Sequence, residues 1–458
     1  MSEHWHTAMK PFRHDLIGNS HEPSEIFCPD ASRPQPAFST EMSAVQTTGT
    51  GPIRSRTALD WLNFLLADVQ GGVGPFLAIY LWSSQGWDAT HVGIVMTVAG
   101  IATVAMRAPA GAFVDWTVRK RALIVAAAGI VGAGAIVLSL FPSFWPAAAA
   151  QALIGACDAV FPPALAAISL GLVGRQAFTG RVGRNEAFNH AGNAFTAIAA
   201  GLAGYLIAPA AVLWLVALFA ALSAGAALLI EPHEIDHALA RGLDDNRSDE
   251  EIGKRPSGLR VIFECKPLLI FTAAITLFHF ANAAMLPLVG ERLSLGHKDS
   301  GSLFIAACII AAQIVMVPMA ILVGAKSDAI GRKPLFLLGF AALPIRGVLY
   351  TLADDPSYLV SIQLLDGVGA GLFGALFPLV VADLTKGTGH YNLALGASGA
   401  AWGLGAALSN SVAGFIVDKA GFNAAFLFLA GAATLAFLLF WFAVPETGGR
   451  ANREKTRS

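Results

Sequence analysis

From Thr57 to about residue 444 the sequence is a succession of about twelve apolar runs of roughly 20 to 25 residues, each long enough to cross a ~30 Å hydrocarbon layer as a helix. They fall at approximately 57–82, 90–113, 121–142, 146–172, 183–207, 211–230, 267–291, 300–323, 334–353, 357–383, 390–417 and 422–444. A soluble fold could not hide so much apolar surface. Of the 458 residues, 55% are hydrophobic and 13% charged, with a mean hydropathy of +0.61. The expected fold is therefore an all-α polytopic membrane protein with twelve transmembrane helices. The net charge of -1 conceals an uneven distribution, since charges collect in the tails and loops, and it gives no reason to expect a nucleic-acid partner. The four cysteines are far apart and form no C-x-x-C or Cys/His ligand spacing, so neither a metal nor another cofactor is expected.

Between the eighth and ninth runs lies a charged loop, Gly324-Ala-Lys-Ser-Asp328-Ala-Ile-Gly331-Arg332-Lys333-Pro334. A degraded copy stands about 213 residues earlier, as Gly111-Ala-Phe-Val-Asp115-Trp-Thr-Val-Arg119-Lys120-Arg121, with Thr117 and Val118 where the loop glycine would be. A shift of about 212 residues also lays Pro75 on Pro287, Gln151 on Gln363 and Gly155 on Gly367. The chain thus reads as two six-helix pseudo-repeats. The loops resemble those of the major facilitator superfamily, which read G-x-x-x-D-x-x-G-R-K/R between the second and third helix of each half. That resemblance implies a transporter fold in which Asp115 meets the N-terminus of the eleventh span and Asp328 that of the fifth. Arg119, Arg332 and Lys333 would then pair with acids across the gap, with Gly111, Gly324 and Gly331 letting the backbone approach.

Residues 1–56 lack hydrophobic periodicity and are expected to form a disordered cytoplasmic tail, with Met42 an alternative start for translation. The two bundles are expected at 57–230 and 267–445. They are joined by a polar linker at 231–266 that carries an acidic run at 244–251, and a tail follows at 446–458. With both tails on one side, that side receives most of the loop arginines and lysines, so the tails, linker and charged loops are expected in the cytoplasm and the protein in the inner membrane.

A polar group at mid-membrane is costly and needs either a functional or a structural reason. On the fifth span Glu186, Asn189, His190 and Asn193 fall at i, i+3, i+4 and i+7, one face that could line a cavity or pair locally with Arg184. On the matching eleventh span Gly396, Gly399 and Gly403 suit tight packing. Asp68 stands near the bilayer centre of the first span, about 160° around the helix from Gln70, and could carry a proton or pack against another helix. Gln151 and Asp158 share a face of the fourth span, and Gln363 and Asp366 a face of the tenth. His279 and Asn282 could join the cavity from the seventh span. Arg346 could pair with Asp366 or with an anionic substrate, and Arg107 is close enough along its helix to serve the loop of Asp115.

The expected substrate-binding set is therefore Gln70, Gln151, Asp158, Asn189, His190, Asn193, His279, Asn282, Gln363 and Asp366, with Asp68 and Glu186 for proton coupling. The resemblance adds Gly111, Asp115, Arg119, Gly324, Asp328, Gly331, Arg332 and Lys333 for gating. It implies a monomeric secondary transporter, not an enzyme, that moves a small organic solute by alternating access with protons as the coupling ion, export being favoured over uptake. Uptake of a metabolite or metal chelate, or a sensor with the transporter fold, remain as alternatives. Many proton antiporters of the family carry an arginine where Gln151 stands, and drug and proton antiporters a G-P signature on the fifth span that this sequence lacks, two departures that count against antiport.

Overall fold

The computed structural model describes residues 53–71, 77, 80–87, 89–243, 265–296 and 301–448. Among them the regular elements are all helical. The first half holds α1 (Ile53–Gly71), a π-helical turn (Tyr80–Ser84), α2 (Ala89–Trp116), α3 (Lys120–Leu140), α4 (Phe144–Asp158), α5 (Phe161–Leu206) and α6 (Ala211–Leu228). After the short α7 (His237–Ala240), the second half holds α8 (Lys266–Ala283), α9 (Met285–Gly296), α10 (Gly301–Ile330), α11 (Arg332–Leu349), α12 (Pro356–Leu384) and α13 (Tyr391–Ala443).

Eight stretches among the described residues are long and apolar enough to cross a membrane. Two of them hold two passes each: α5 breaks at Gly174 (φ 69°) and α13 at Gly421 (φ 82°), a left-handed conformation that glycine adopts without steric cost. With α1 and the more charged α11, the described helices are consistent with the expected twelve. The outer surface is apolar, with Ile101, Leu206, Ile314, Phe415 and Phe442 all exposed, as lipid contact demands.

Helix pairing repeats between the halves. In the first, α1 packs on α5, α2 on α4, and α3 on α6; in the second, α8 packs on α13, α10 on α12, and α11 on the last part of α13. The halves meet along two seams, α2 against α13 and α5 against α10. Glycines set these approaches. A Cβ on Gly155 would lie 3.0 Å from Ala99 Cα of α2, and one on Gly367 2.6 Å from Val315 Cβ of α10, so matching helix pairs cross at matching glycines.

Two expectations need correction. The fifth span is helical from Arg175, directly after Gly174, rather than from 183, because Arg175, Arg181 and Arg184 find partners at the helix end instead of forming a loop. The linker's first part is not a free solvated segment. Ile235, Ala240, Arg241 and Leu243 are buried, the Asp236 N–H donates to Gly171 O (3.0 Å), and Asp236 Oδ1 caps α7 through the N–H groups of Ala238 and Leu239. The acidic run and residues 1–52 of the tail expected at 1–56 lie outside the described residues, whereas 53–56 open α1.

Candidate functional site

Both seams are closed at the end of the bundle that carries the charged loops, here called the basic end. α13 begins at Tyr391, and the first turn of a helix leaves backbone N–H groups without helical partners. Asp115, at the end of α2 and fully buried, supplies the acceptors. Its Oδ1 takes the Asn392 side-chain amide (2.8 Å) and the Asn392 N–H (3.2 Å), and its Oδ2 takes the Leu393 N–H (2.8 Å). A buried carboxylate is stable here because the helix terminus contributes partial positive charge as well as donors. Gly111, one turn earlier, lies directly against Asn392, and Gly396 lies against the Arg107 carbonyl.

The linker joins the same junction. Asn392 also donates to Ala240 O (2.8 Å), the Tyr391 N–H donates to Arg241 O (3.3 Å), and Gly242 O accepts from the Gly387 N–H and from Arg175 (both 2.7 Å).

The other seam closes differently. Asp328 does not reach the N–H groups that open the fifth span. Its Oδ1 accepts from the Thr179 hydroxyl (2.9 Å) and from Arg332 (2.7 Å). Among the described residues Arg332 has its acids within its own half, Asp328 and Asp383 of α12, and crosses the gap only to Thr179 Oγ1 (3.1 Å). Lys333 and Arg119 likewise bridge to no acid across the gap among the described residues. The Lys333 backbone N–H donates to Glu446, and that of Arg119 to Thr117 Oγ1. Gly183 and Gly324 pack backbone to backbone, and Gly331 holds φ 104°, a conformation that Val118 in the first loop would adopt only under strain.

Deeper in the bundle a second set of groups crosses the seams. Arg107 does not serve the Asp115 loop. Its guanidinium donates to Gly399 O, lies 4.1 Å from the centre of the Trp402 ring, and has Asp158 as its electrostatic partner. A Cβ on Gly403 would lie 2.8 Å from Arg107 Nη1, so the glycines read as packing residues make room for an arginine. His279 stacks on the other ring system of the cluster, with 4.3 Å between its centroid and that of Trp402 and 4.5 Å to Phe373, while its Nδ1 bonds Ile275 O. On the second seam His190 Nδ1 lies 3.0 Å from Gln313 Oε1, and Glu186 lies between His190, Asn189 and Gly374 of α12. Asn193 is half-buried further along that face.

The remaining expected residues are placed elsewhere. Asn282 and Asp366, both half-buried, bind the buried Arg346, giving a triad between α8, α11 and α12 within the second half. Once buried, an arginine takes whatever acceptors lie nearest, since leaving the charge unpaired costs far more than either contact gains. Gln363 is fully buried beside Cys308, and Gln151 is buried with its Nε2 lacking a partner among the described residues. Asp68 and Gln70 fall on α1, but their side chains lie outside the described set.

The comparisons with known proteins agree with this architecture. The family model described as Major Facilitator Superfamily matches residues 60–323 and 309–457. The chain belongs to the Major Facilitator Superfamily. An uncharacterised MFS-type transporter of Mycobacterium tuberculosis, found in two strains, is 52% identical over 406 residues, covering 89% of this chain and 97% of its own. Among solved structures, the proton:xylose symporter XylE aligns with a TM-score of 0.65 at 15% identity, covering 86% of this chain and 96% of its own. The transporter FucP in its outward conformation aligns with a TM-score of 0.65 at 14% identity, over 85% and 98%. The human organic anion transporter MFSD10 gives 0.62 at 16% over 85% and 100%. As a superfamily member the chain is a multi-pass membrane protein that moves a solute.

Within this superfamily fold, several contacts escaped the sequence reading. The repeat shift of about 213 residues lays Gly183 on Gly396 and Thr179 on Asn392, so applying it to the first seam would have located the second. Asp60 of α1, held by Arg181 and Arg184, sits near the end of its run, where an acid reads as a helix-end residue. Trp402 and Gln313 carried no signal, because one tryptophan or glutamine in an apolar run reads as packing.

Proposed function

We propose that this protein is a proton-coupled secondary transporter of a small organic solute. It works by alternating access as a monomer in the inner membrane, with the basic end facing the cytoplasm. The observation that carries this reading is the pair of related seams. Each is closed at the basic end by an aspartate that accepts from the opposite half, Asp115 from the start of α13 and Asp328 from the Thr179 hydroxyl, so the halves can rock apart there without any helix unfolding. Basic residues at that end favour the cytoplasmic side. The Arg107–Trp402–His279–Phe373 cluster spans both halves and offers a cation, stacking faces and an imidazole to a solute passing between them. Glu186 supplies the proton site at the other seam, and the likeness to a proton:xylose symporter supports proton coupling.

The test begins with purified protein and a panel of small organic solutes screened for thermal stabilisation. Stabilising solutes then go into proteoliposomes with an internal pH dye. Solute-dependent proton movement is expected, reduced at least about tenfold by Trp402→Leu, a loss of about 1.4 kcal/mol or more of binding. Solutes that bind tightly yet never cross would replace the carrier with a sensor.

A further inference from the structure

Across the seam between α5 and α10, His190 Nδ1 lies 3.0 Å from Gln313 Oε1. An amide oxygen can only accept, so the imidazole proton sits on Nδ1 and the lone pair on Nε2. That Nε2 is buried without a hydrogen-bond partner among the described residues, in a side chain nine-tenths buried. The polar atom it faces is Glu186 Oε2, 3.9 Å away. A lone pair and an ionised carboxylate turned toward each other repel, and the buried Nε2 regains nothing for the hydration it lost, while Glu186 keeps a quarter of its side chain exposed. A proton on Glu186 removes the conflict by turning one acceptor into a donor.

Among the other described groups near the pair, Asn189 hydrogen-bonds the Glu186 carboxyl and favours its ionised form, while the rest bring no charge against the proton. Gly374 of α12 presents backbone, Asn189 lies beside the carboxyl, and Asn63 of α1 donates to Leu59 O. Asp60, Arg181 and Arg184 lie toward the basic end, bound to one another. Asp68 of α1 lies outside the described side chains.

We propose that Gln313 is a positioning residue: from the opposite half it fixes the tautomer of His190, so that Glu186 holds its proton while α5 and α10 are together and gives it up when they part. This rests on the reading of the protein as a proton-coupled carrier. When α10 withdraws, the Nδ1–H is left to water. Glu186 then passes its proton to Nε2 as Nδ1 releases one to water. One O–H and one N–H bond break, one N–H bond forms on the ring, and a hydronium ion leaves toward the basic end. The imidazole stays neutral in its other tautomer, and the Glu186 carboxylate now accepts from Nε2–H. The amide thus couples the state of the seam to the proton without titrating itself.

The experiment uses the full chain in lipid nanodiscs with 15N-labelled histidine. The His190 signals are assigned by difference against His190→Gln, because the two ring nitrogens have distinct shifts in each tautomer. The expected result is Nδ1–H in the native protein, Nε2–H in Gln313→Leu, and Nδ1–H again in Gln313→Glu, which restores an acceptor. In parallel, the infrared carbonyl band of a protonated carboxylic acid should vanish in Glu186→Gln and weaken in Gln313→Leu. Nε2–H in the native protein, or no change of tautomer in a folded Gln313→Leu, overturns the proposal. Should Gln313→Leu fail to fold, the native tautomer and the Glu186 band decide alone. A protein that switches tautomer but carries no solute would fail the transport reading and leave this one standing. Proton-coupled flux with an unaltered pH profile in Gln313→Leu would do the reverse.

Discussion

The two basic-end contacts occupy related places in the two halves, and the copy with the poorer sequence match makes the more buried contact. Asp115 is fully buried and accepts three hydrogen bonds from Asn392 and Leu393. Asp328, in the loop that fits the superfamily pattern closely, leaves 54% of its side chain exposed and holds one hydroxyl across the gap. The partner positions correspond, Asn392 with Thr179, so the difference lies in what surrounds them. The linker covers the first contact, with Asn392 donating to Ala240 O as well. At the second, Gly331 turns the loop so that Arg332 meets Asp328 and Asp383 and the charge is spent within one half. A motif records the turn a loop makes and says little about how deeply its aspartate is buried.

The largest effect is expected from Asp115→Asn. Hydrogen bonds to a buried charge are worth about 1.5–3 kcal/mol each, and the new amide would turn a donor toward an N–H group. A loss of about 2–4 kcal/mol from the closed state follows, more than a tenfold change in population. Double electron–electron resonance between labels at Val118 and Thr388 would show the α2–α13 seam widening. If the distance distribution stayed as in the native protein, Asp115 would be a packing residue and the comparison would lose its stronger member.

The linker's share is tested by Gly242→Val. Gly242 holds φ 84°, and a Cβ there would lie 3.0 Å from Tyr391 Cβ, so both backbone strain and crowding act on the strap over the first seam. About 1–2 kcal/mol is expected, read as partial widening with the same labels. Equal widening between labels at Ala177 and Ala329, across the second seam, would show that the linker acts on both contacts and erase the distinction.

Asp328→Asn should do less. Exposed ion pairs contribute about 0–1 kcal/mol, and an asparagine oxygen still accepts from Thr179. Flux is expected to fall less than about fivefold, with little change between the labels at Ala177 and Ala329. A collapse of transport equal to that of Asp115→Asn would mean that exposure is a poor guide to the strength of these contacts.

The all-helical, many-span fold, the duplication and the two charged loops were legible in the sequence because hydrophobic length and glycine spacing are local patterns. Of the interior, the Arg346–Asp366 pair was legible and most other contacts were not. Arg107 pointed by sequence distance to Asp115, yet a long side chain with room beside Gly399 and Gly403 reaches Trp402 instead. Asn282 and Asp366 lie on faces that suit a cavity, but Arg346, 1% exposed, draws both into the second half. Helix periodicity gives the face a residue occupies, whereas the partner depends on how neighbouring helices rotate. The fifth-span stripe was found because four polar residues on one face are rare in lipid, while its partner Gln313 stood alone.

The smallest effect, a dependence on pH, also separates the two contacts. His390, which precedes α13, is held below the usual histidine range by burial and then by Arg241, and His237 of the linker by burial and then by Lys120, with Asp236 opposing. Both histidines adjoin the Asp115 junction, whereas Asp328 faces Thr179 and Arg332. A histidine whose pKa is lowered in the closed state binds its proton more readily once that state opens or unfolds. Stability is therefore complete above the ordinary histidine range and declines as pH falls through it toward the depressed value. Protonated His390 would also bring positive charge to a helix N-terminus already beside Arg241. The α2–α13 distance should thus broaden modestly on acidification while the α5–α10 distance at the basic end holds, and His390→Gln together with His237→Gln should remove most of the broadening. Broadening that persists in the double variant would move the titrating group away from this junction, to an acid of the bundle interior.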